Sequence, residues 1–594
     1  MNPLAEYQSR LAARRELSER EQKLFRTIGN ARLLVGIAGV ALAFFVFGET
    51  IVAPWWLLVP LAAFLALVVI HARVVERLER ANRAVSFYQR GIERLEDRWA
   101  GNGETGERFR DPAHVYAEDL DLFGKGSLFE LLCTARTRAG EDTLARWLLV
   151  PASVHEARQR QQAIRELAPR LDLREDLAVL GASVRSGAEP EAVARWAKAP
   201  AVPFPAGAPI IAAILAIAVI VTFGLYMGRV STRTPFFGAL LAELGYAFFL
   251  GTRTLRVASA VSAPAHDLAL LATLLERIEK EPVDSPLIRE LKTKMASGGL
   301  VASAEIGRLR RLVSLLDWQR NLLFAPIAMA LLWSAQIAMA IERWRRVSGP
   351  HIAEWISGIG EYEALAALAA YSFEHPEDPF ADLAESEGGW LEAEALGHPL
   401  MPAAQCVRND IRLGGDMRLL IVSGSNMSGK STLLRTVGLN AVLAWTGAPV
   451  RAQRLKISPL SVGASIRVQD SLQDGRSRFY AEITRLREIV SLAGGQRTLL
   501  FLMDELLSGT NSHDRRIGAG AIVRTLVERG AIGLITTHDL ALADIASDFQ
   551  GRAANVHFED TLADGRLHFD YRLRNGVVER SNALDLMRSV GLEV

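Results

Sequence analysis

Two apolar runs near the N-terminus constrain this chain more than any other feature. Residues 33–48 carry no charge between Arg32 and Glu49, and residues 50–70 carry none from Thr50 to Ile70. A hydrocarbon core takes about 20 apolar residues per helix. Only Glu49 separates the two runs, so they predict a tight helical hairpin. Trp55 and Trp56 stand near one end, where interfacial aromatics belong. The charged stretch 1–30, itself expected to be helical, precedes the hairpin, and no small-residue cleavage site is evident, which excludes a cleavable signal peptide. Arg10, Arg14, Arg15, Arg20, Lys23, Arg26 and Arg32 lie before the hairpin and Arg73, Arg77, Arg80 and Arg83 after it. The turn has neither Lys nor Arg. Positive charge favours the cytoplasmic side, so both ends are expected there. The competing reading is a helical hairpin buried in a soluble core.

Composition agrees with a partly membrane-embedded chain. Of 594 residues, 50% are hydrophobic, and mean hydropathy is +0.14. That excludes disorder over most of the length, and the length itself suits three or four domains. Lys+Arg 68 against Asp+Glu 67 leaves a net charge of +1, which excludes coating of nucleic acid by bulk electrostatics. Cys133 and Cys406 form no disulfide framework and lack metal-ligand spacing, so both are expected as buried small hydrophobes in a reducing compartment.

A second apolar pair occupies about 205–228 and 234–252. The first part is almost wholly apolar from Ile210 to Tyr226; the second is interrupted by Glu243. A carboxylate inside a membrane is costly, so Glu243 is either functional or a sign that its segment does not span. Residues 321–341 are also long enough, but a chain with a cytoplasmic N-terminus and a cytoplasmic nucleotide domain needs an even number of crossings. They are therefore expected as a buried core helix. Residues 72–100 predict a charged helix, and 115–195 and 258–370 have helical periodicity. From about 395, short apolar strands alternate with helices. The expected domains are thus 1–114, 115–394 and 395–594.

The third domain holds the strongest chemical signal. Gly424, Ser425, Asn426, Met427, Ser428, Gly429, Lys430, Ser431 and Thr432 follow the apolar strand 419–423 and open a helix that runs to Gly447. This is a phosphate loop, whose backbone N–H groups and helix N-terminus cradle phosphates. Lys430 is expected on the β/γ-phosphates and Ser431 on Mg²⁺. A strand over 498–503 ends in Asp504 and Glu505, and another over 532–537 ends in His538. Asp504 is placed to hold Mg²⁺ through water, Glu505 to orient or deprotonate the attacking water, and His538 to sense the γ-phosphate. Leu492-Ala-Gly-Gly-Gln496 imitates a transporter signature loop, but its nearness to Asp504 makes it the turn into the strand.

At these residues the chain resembles the MutS family of DNA mismatch-repair ATPases. The segment 424–432, with its Asn-Met pair, is similar to the family's phosphate loop. Gly475-Arg-Ser477-Arg-Phe479-Tyr-Ala-Glu482 resembles its Ser-x-Phe-x-x-Glu signature, in which the serine approaches the partner subunit's nucleotide. Asp504-Glu505, Gly509-Thr510-Asn-Ser-His-Asp514 and Thr537-His538 follow in order, after His398-Pro399 and Asn409-Asp410. Upstream, Gly126-Ser-Leu-Phe, Thr137-Arg-Ala-Gly140, Trp147-Leu-Leu-Val-Pro151 and Arg160-Gln-Gln-Ala-Ile164 are similar to the start of its helical core. The resemblance covers about 115–594 outside the second hairpin.

It implies an α/β P-loop ATPase domain at the C-terminus and an all-α core, joined here to transmembrane hairpins. It implies ATP and Mg²⁺ as ligands and a homodimer with composite ATP sites, completed across the dimer by Ser477. No room exists before residue 115 for mismatch-reading and connector domains, and Ser508 replaces a basic residue usual after Asp-Glu. The chain therefore looks like the short, membrane-anchored MutS-like proteins of bacteria, in the inner membrane with its N-terminus and ATPase domain cytoplasmic. Two functions compete: an ATPase dimer that contacts DNA without reading mismatches, and an ATP switch acting on lipid or a protein partner with no DNA role. The basic clusters Arg308/Arg310/Arg311 and Arg343/Arg345/Arg346 suit phosphodiester or anionic head groups alike.

Overall fold

The computed structural model describes residues 2–578 apart from 49–52, 186–189, 297–298, 300, 321–323, 386–387, 426, 468–477, 508–509, 539–542 and 564–565. The chain forms two compact units, one of residues 1–134, 144–170 and 364–594, the other of 135–143 and 171–363.

In the first unit the N-terminal charged stretch and the first apolar run form one helix, Pro3–Phe47, capped by the Asn2 side chain, which accepts from the Leu4 and Ala5 N–H groups. After a 3₁₀ turn, Pro54–Leu57, the second apolar run continues into its charged flank as a single helix, Leu58–Leu95. Gly29 stands at the first junction without interrupting the helix, so the helical hydrogen bonds run through the change of polarity. The apolar halves lie outside this chain's own core. Only 6% of the most apolar window in each helix is buried, and Val40 is 74% exposed. The hairpin's base, by contrast, is buried at Tyr7, Leu11, Ala81, Ala84, Phe87 and Tyr88.

The same unit carries two sheets. Strands β1 (Asp382–Leu383), β2 (Trp390–Leu396), β3 (Asn409–Gly414) and β5 (Arg454–Ile457) pair in the order β1-β5-β2-β3. Strands β4 (Leu419–Ser423), β6 (Leu460–Ser465), β7 (Thr498–Met503), β8 (Ile532–Thr537), β9 (Ala553–Ala563) and β10 (Arg566–Asn575) pair in the order β10-β9-β4-β8-β7-β6. All neighbours in this sheet are parallel except β9 and β10. Parallel strands covered on both faces are apolar throughout rather than alternating. Accordingly every residue of β4 and of β8 is buried. Phe501 and Met503 pack with Leu486, Ile489, Val523 and Leu526 of helices Arg478–Leu492 and Ser512–Glu528. The alternate residue Leu502 meets Gly438 of helix Lys430–Thr446, where an added Cβ would lie 2.8 Å from it.

The second unit is helical. Helix Arg233–Lys280, 48 residues, is its spine, and helices Leu171–Arg185, Pro190–Lys198, Ala208–Met227, Ala302–Asp317 and Trp333–Ser348 pack along it. Ala208, Ala212 and Ala216, one turn apart, are buried, the first two against a cluster that includes Tyr246 and Ala247. Small residues at this spacing let helices approach closely. Glu243 is 2% exposed, and neither carboxylate oxygen has a hydrogen-bond partner among the described residues. Together with the two N-terminal helices, Ala208–Met227 and Arg233–Lys280 make four helices among the described residues long and apolar enough to cross a membrane by length and composition.

Two expectations need correction. Residues 321–341 are not one core helix: Ala325–Ala330 ends before Leu332, whose φ of 46° breaks the path, and Trp333–Ser348 follows. The second basic cluster is divided, because Arg345 is buried, donating to the Trp196 and Pro200 carbonyls and to Glu342. Arg343 and Arg346 remain exposed. The Thr137–Gly140 motif has a mechanical reason. Glu363 accepts from the Arg136 and Thr137 N–H groups at 3.1 and 3.2 Å, and from the Thr137 hydroxyl. A Cβ at Gly140 would lie 2.5 Å from that carboxylate. Burial pushes Glu363 up to about 7 against those hydrogen bonds.

Candidate nucleotide site

The C-terminal ends of β4, β8 and β7, adjacent in that order, bring the three predicted strand-end groups together. Ligands of open parallel sheets gather at these ends. After β4 come Gly424 and Ser425, and residues 427–429 lead into helix Lys430–Thr446, which ends at Gly447 (φ 86°). Gly429 is required twice over: its φ is 102°, and a Cβ there would sit 3.1 Å from the Tyr571 ring. Lys430 is 5% exposed. Its Nζ donates to the Gly424 and Ser425 carbonyls, both at 2.8 Å, which holds those two residues against the ammonium. Burial pulls the ammonium below its usual range, while Glu505 and Asp504 oppose that shift.

Asp504 and Glu505 are held by their neighbours. The Asp504 N–H donates to the Ser465 carbonyl at 2.9 Å, and the Thr536 hydroxyl on β8 donates to the Asp504 carboxylate. The Glu505 N–H donates to that hydroxyl at 3.1 Å. Glu505 and Leu507 both have positive φ, 48° and 54°. Such strain persists only where the surroundings over-determine it. Here the buried Glu482 accepts the Leu507 N–H at 2.6 Å, and Arg515 donates to the Leu507 carbonyl at 3.2 Å. His538 Nδ1 lies 3.3 Å from Glu505 Oε1. The turn over 492–496 follows helix Arg478–Leu492 and leads into β7, as expected.

A cavity of about 470 Å³ opens beside these groups, lined by Lys430, Ser431, Thr432 and Glu505 and by His398, Met427, Phe558 and Tyr571. Its chemistry fits a polyphosphate. Ser425 Oγ and Ser428 Oγ are buried with no hydrogen-bond partner among the described residues, a buried cation stands beside them, and the carboxylates of Asp504 and Glu505 lie near enough to act on that cation electrostatically. Buried polar groups left unpaired ask for a partner. The loop hydroxyls, Lys430 and Ser431 suit phosphate oxygens, and Ser431 with Asp504 suits a hard divalent cation. Asn426 and Ser477 lie outside the described residues, as do Ser508 and Gly509.

Several contributors were not assigned to the site from sequence. Tyr571 enters through a bulge in β10, where register shifts between Phe569 and Leu573 and Tyr571 has φ 54°. Asn409 clamps that bulge, donating to the Tyr571 carbonyl at 3.0 Å and accepting the Leu573 N–H at 2.8 Å. A bulge of this kind re-aims a side chain. The Asn409-Asp410 and His398-Pro399 pairs were visible only as motifs. Burial, then Arg435, pulls His398 down to about 4, so it is neutral at pH 7. Cys406 lines the same cavity; it and Cys133 are half-buried rather than buried.

Comparison with known proteins agrees with this geometry. The family model for MutS domain V matches residues 420–593. Endonuclease MutS2 of Thermus thermophilus is 37% identical over 196 residues, 33% of this chain and 25% of that protein. DNA mismatch repair protein MutS of Natronomonas pharaonis is 30% identical over 261 residues, 43% of this chain and 29% of that protein. The chain thus matches less than a third of the length of these relatives. Its C-terminal region is a MutS domain V, with MutS and MutS2 proteins as homologues.

Proposed function

We propose that this protein is a membrane-anchored, MutS-like ATPase that works as a dimeric, ATP-driven conformational switch and contacts DNA without reading mismatches. The observation that carries the ATPase reading is one cavity lined by Lys430, Ser431, Thr432 and Glu505, with His538 against Glu505 and Asp504 joined to it through the Thr536 hydroxyl. Lys430 and the loop hydroxyls bind and orient the triphosphate, and Ser431 and Asp504 hold Mg²⁺. The metal, when bound, neutralises charge on the β- and γ-phosphates. Glu505 orients the attacking water and takes its proton, and His538, against Glu505, holds that carboxylate and reports the γ-phosphate. Tyr571 and Phe558 offer aromatic faces to the base.

Four apolar helices, two of them almost wholly exposed along their apolar windows, support insertion in a bilayer. The same exposure favours the second reading, a switch whose output goes to lipid or a membrane protein. The division of the basic cluster at Arg345 removes one support for DNA. Salt-dependent binding of duplex DNA by the detergent-solubilised protein decides between them: a steep fall of affinity with salt supports DNA contact, and no binding at low salt leaves the membrane reading.

The dimer is tested by mixing. Ser477 is assigned to the partner's nucleotide, so a Lys430→Ala chain mixed with a Ser477→Ala chain forms heterodimers with one intact composite site. Partial recovery of ATPase activity is expected; none, despite demonstrated mixing, rejects shared sites.

A further inference from the structure

The N-terminal hairpin meets the rest of its unit at a buried carboxylate. The Glu374 side chain is 1% exposed. It accepts from Arg94 Nε at 2.8 Å and Nη2 at 2.6 Å, and from the Tyr7 hydroxyl at 3.1 Å. Tyr7 belongs to helix Pro3–Phe47 and Arg94 to helix Leu58–Leu95, so both arms of the hairpin end on one group. The seat is tight. A Cβ at Gly91 would lie 2.5 Å from the Tyr7 ring, and the Phe373 ring lies 5.5 Å from it.

Four residues further on, the link turns toward the nucleotide cavity. Asp378, with its side chain 1% exposed, accepts from Arg451 Nη1 at 3.2 Å. The Arg451 N–H donates to Asn440 Oδ1 at 2.7 Å, and its carbonyl accepts from the Gly397 N–H at 2.7 Å. Asn440 Nδ2 donates to the Gly397 carbonyl at 3.0 Å. Asn440 lies on the helix that begins at Lys430, and Gly397 precedes His398 in the cavity wall. The chain of contacts is incompletely satisfied: Asp378 Oδ1, Arg451 Nε and the Tyr371 hydroxyl are buried without a hydrogen-bond partner among the described residues. In a low-dielectric interior a partly satisfied network is sensitive to small displacements.

We propose that Glu374 is a coupling joint: the seating of the hairpin on Glu374 sets, through Asp378 and Arg451, the placement of Asn440 and Gly397, and thereby ATP affinity. Glu374, Asp378, Arg451 and Asn440 are positioning residues in this scheme, and it rests on the ATP-binding reading above. Linkage makes the effect reciprocal, so nucleotide also biases the hairpin's seat.

The test measures Kd for Mg–ATP and kcat in the full-length protein in detergent. Arg94→Gln is expected to weaken Kd about tenfold, within the usual range of coupling, while kcat stays within about twofold. Tyr7→Phe, which removes one hydroxyl, should weaken it about threefold and carries little risk to folding. Combined with Asp378→Asn, either hairpin substitution should add nothing further to Kd, because the joint is already broken. Unchanged Kd in folded Tyr7→Phe and Arg94→Gln, or effects that simply add to Asp378→Asn, would overturn the proposal. If Arg94→Gln fails to fold, the Tyr7→Phe cycle decides alone. A wild-type chain that binds no ATP, or binds it independently of Lys430, refutes the underlying reading instead.

Discussion

The phosphate-loop sheet and the N-terminal hairpin are both built from uncharged runs of Leu, Ile, Val and Ala, yet they use them in opposite ways. In β4 and β8 every residue is buried. In the hairpin Leu33, Leu34, Ile37 and Val40 are 58–74% exposed. Length makes the difference. A run of five or six residues between turn signals is covered by helices on both faces of a parallel sheet. A run of about 20 makes a helix whose whole circumference is apolar, which a single partner helix cannot cover. Water is a poor solvent for that surface, and a bilayer is a good one.

The largest effects expected from this contrast lie in the sheet. Glu505→Gln should retain ATP binding yet slow turnover by about 10² or more, as loss of a water-activating group does. Single-turnover hydrolysis checks it, and full activity removes Glu505 from the mechanism. The next tests the hairpin. Val40→Asp should cost about 2.5–3.5 kcal/mol if Val40 sits in hydrocarbon and nearly nothing if it faces water. The fraction of protein resisting alkaline extraction from membranes reads this directly, and extraction of the unmodified chain by the same wash would end the membrane reading.

Acid should act on the sheet region through His398. Its folded-state value is lowered from 6.5 to about 4, chiefly by burial. The unfolded chain therefore binds more protons between those values, and the contribution to stability, complete above pH 6.5, is lost as pH falls through about 4. At 1.36 kcal/mol per pKa unit the loss is about 3 kcal/mol at most. Thermal midpoints from pH 7.5 to 4.5 should fall less steeply in His398→Gln than in the wild type.

Glycine substitutions sharpen the comparison at the smallest scale. A Cβ at Gly533 in β8 would lie 2.2 Å from the Phe501 carbonyl oxygen, whereas one at Gly245 in helix Arg233–Lys280 meets nothing within 4 Å. Gly533→Ala is expected to destabilise by about 1–3 kcal/mol, as overpacking does. Gly245→Ala should be neutral or stabilise by about 0.5–1 kcal/mol through helix propensity. Unfolding midpoints of the two variants check the pair, and equal effects would mean that helix Arg233–Lys280 is as tightly packed around Gly245 as the sheet is around Gly533.

How much of the site was legible in sequence follows from the same contrast. The loop 424–432, Asp504, Glu505 and His538 are local signals, since each sits where an apolar strand stops and its chemistry is confined to a few neighbouring residues. Tyr571 could not be read in this way. Its place depends on a bulge clamped by Asn409 from 162 residues away. Glu482 was visible in a motif, but its grip on the Leu507 N–H joins two separate segments. Arg345 looked like part of a charged helix face until Trp196, Pro200 and Glu342 came round it.

By itself, then, the sequence determined the phosphate loop with its three strand ends, the lengths of the apolar runs and the change from helical to strand-helix periodicity near 395. These depend on backbone geometry, chain polarity and the spacing of a few neighbours. Only the tertiary structure decided that the charged and apolar N-terminal stretches are single helices, that residues 321–341 break at Leu332, that Tyr571 and His398 wall the cavity beside Lys430, and that both arms of the hairpin end on Glu374. The physical reason is that burial and hydrogen bonding between residues tens to hundreds of positions apart depend on where the folded chain returns, and no local pattern encodes that return.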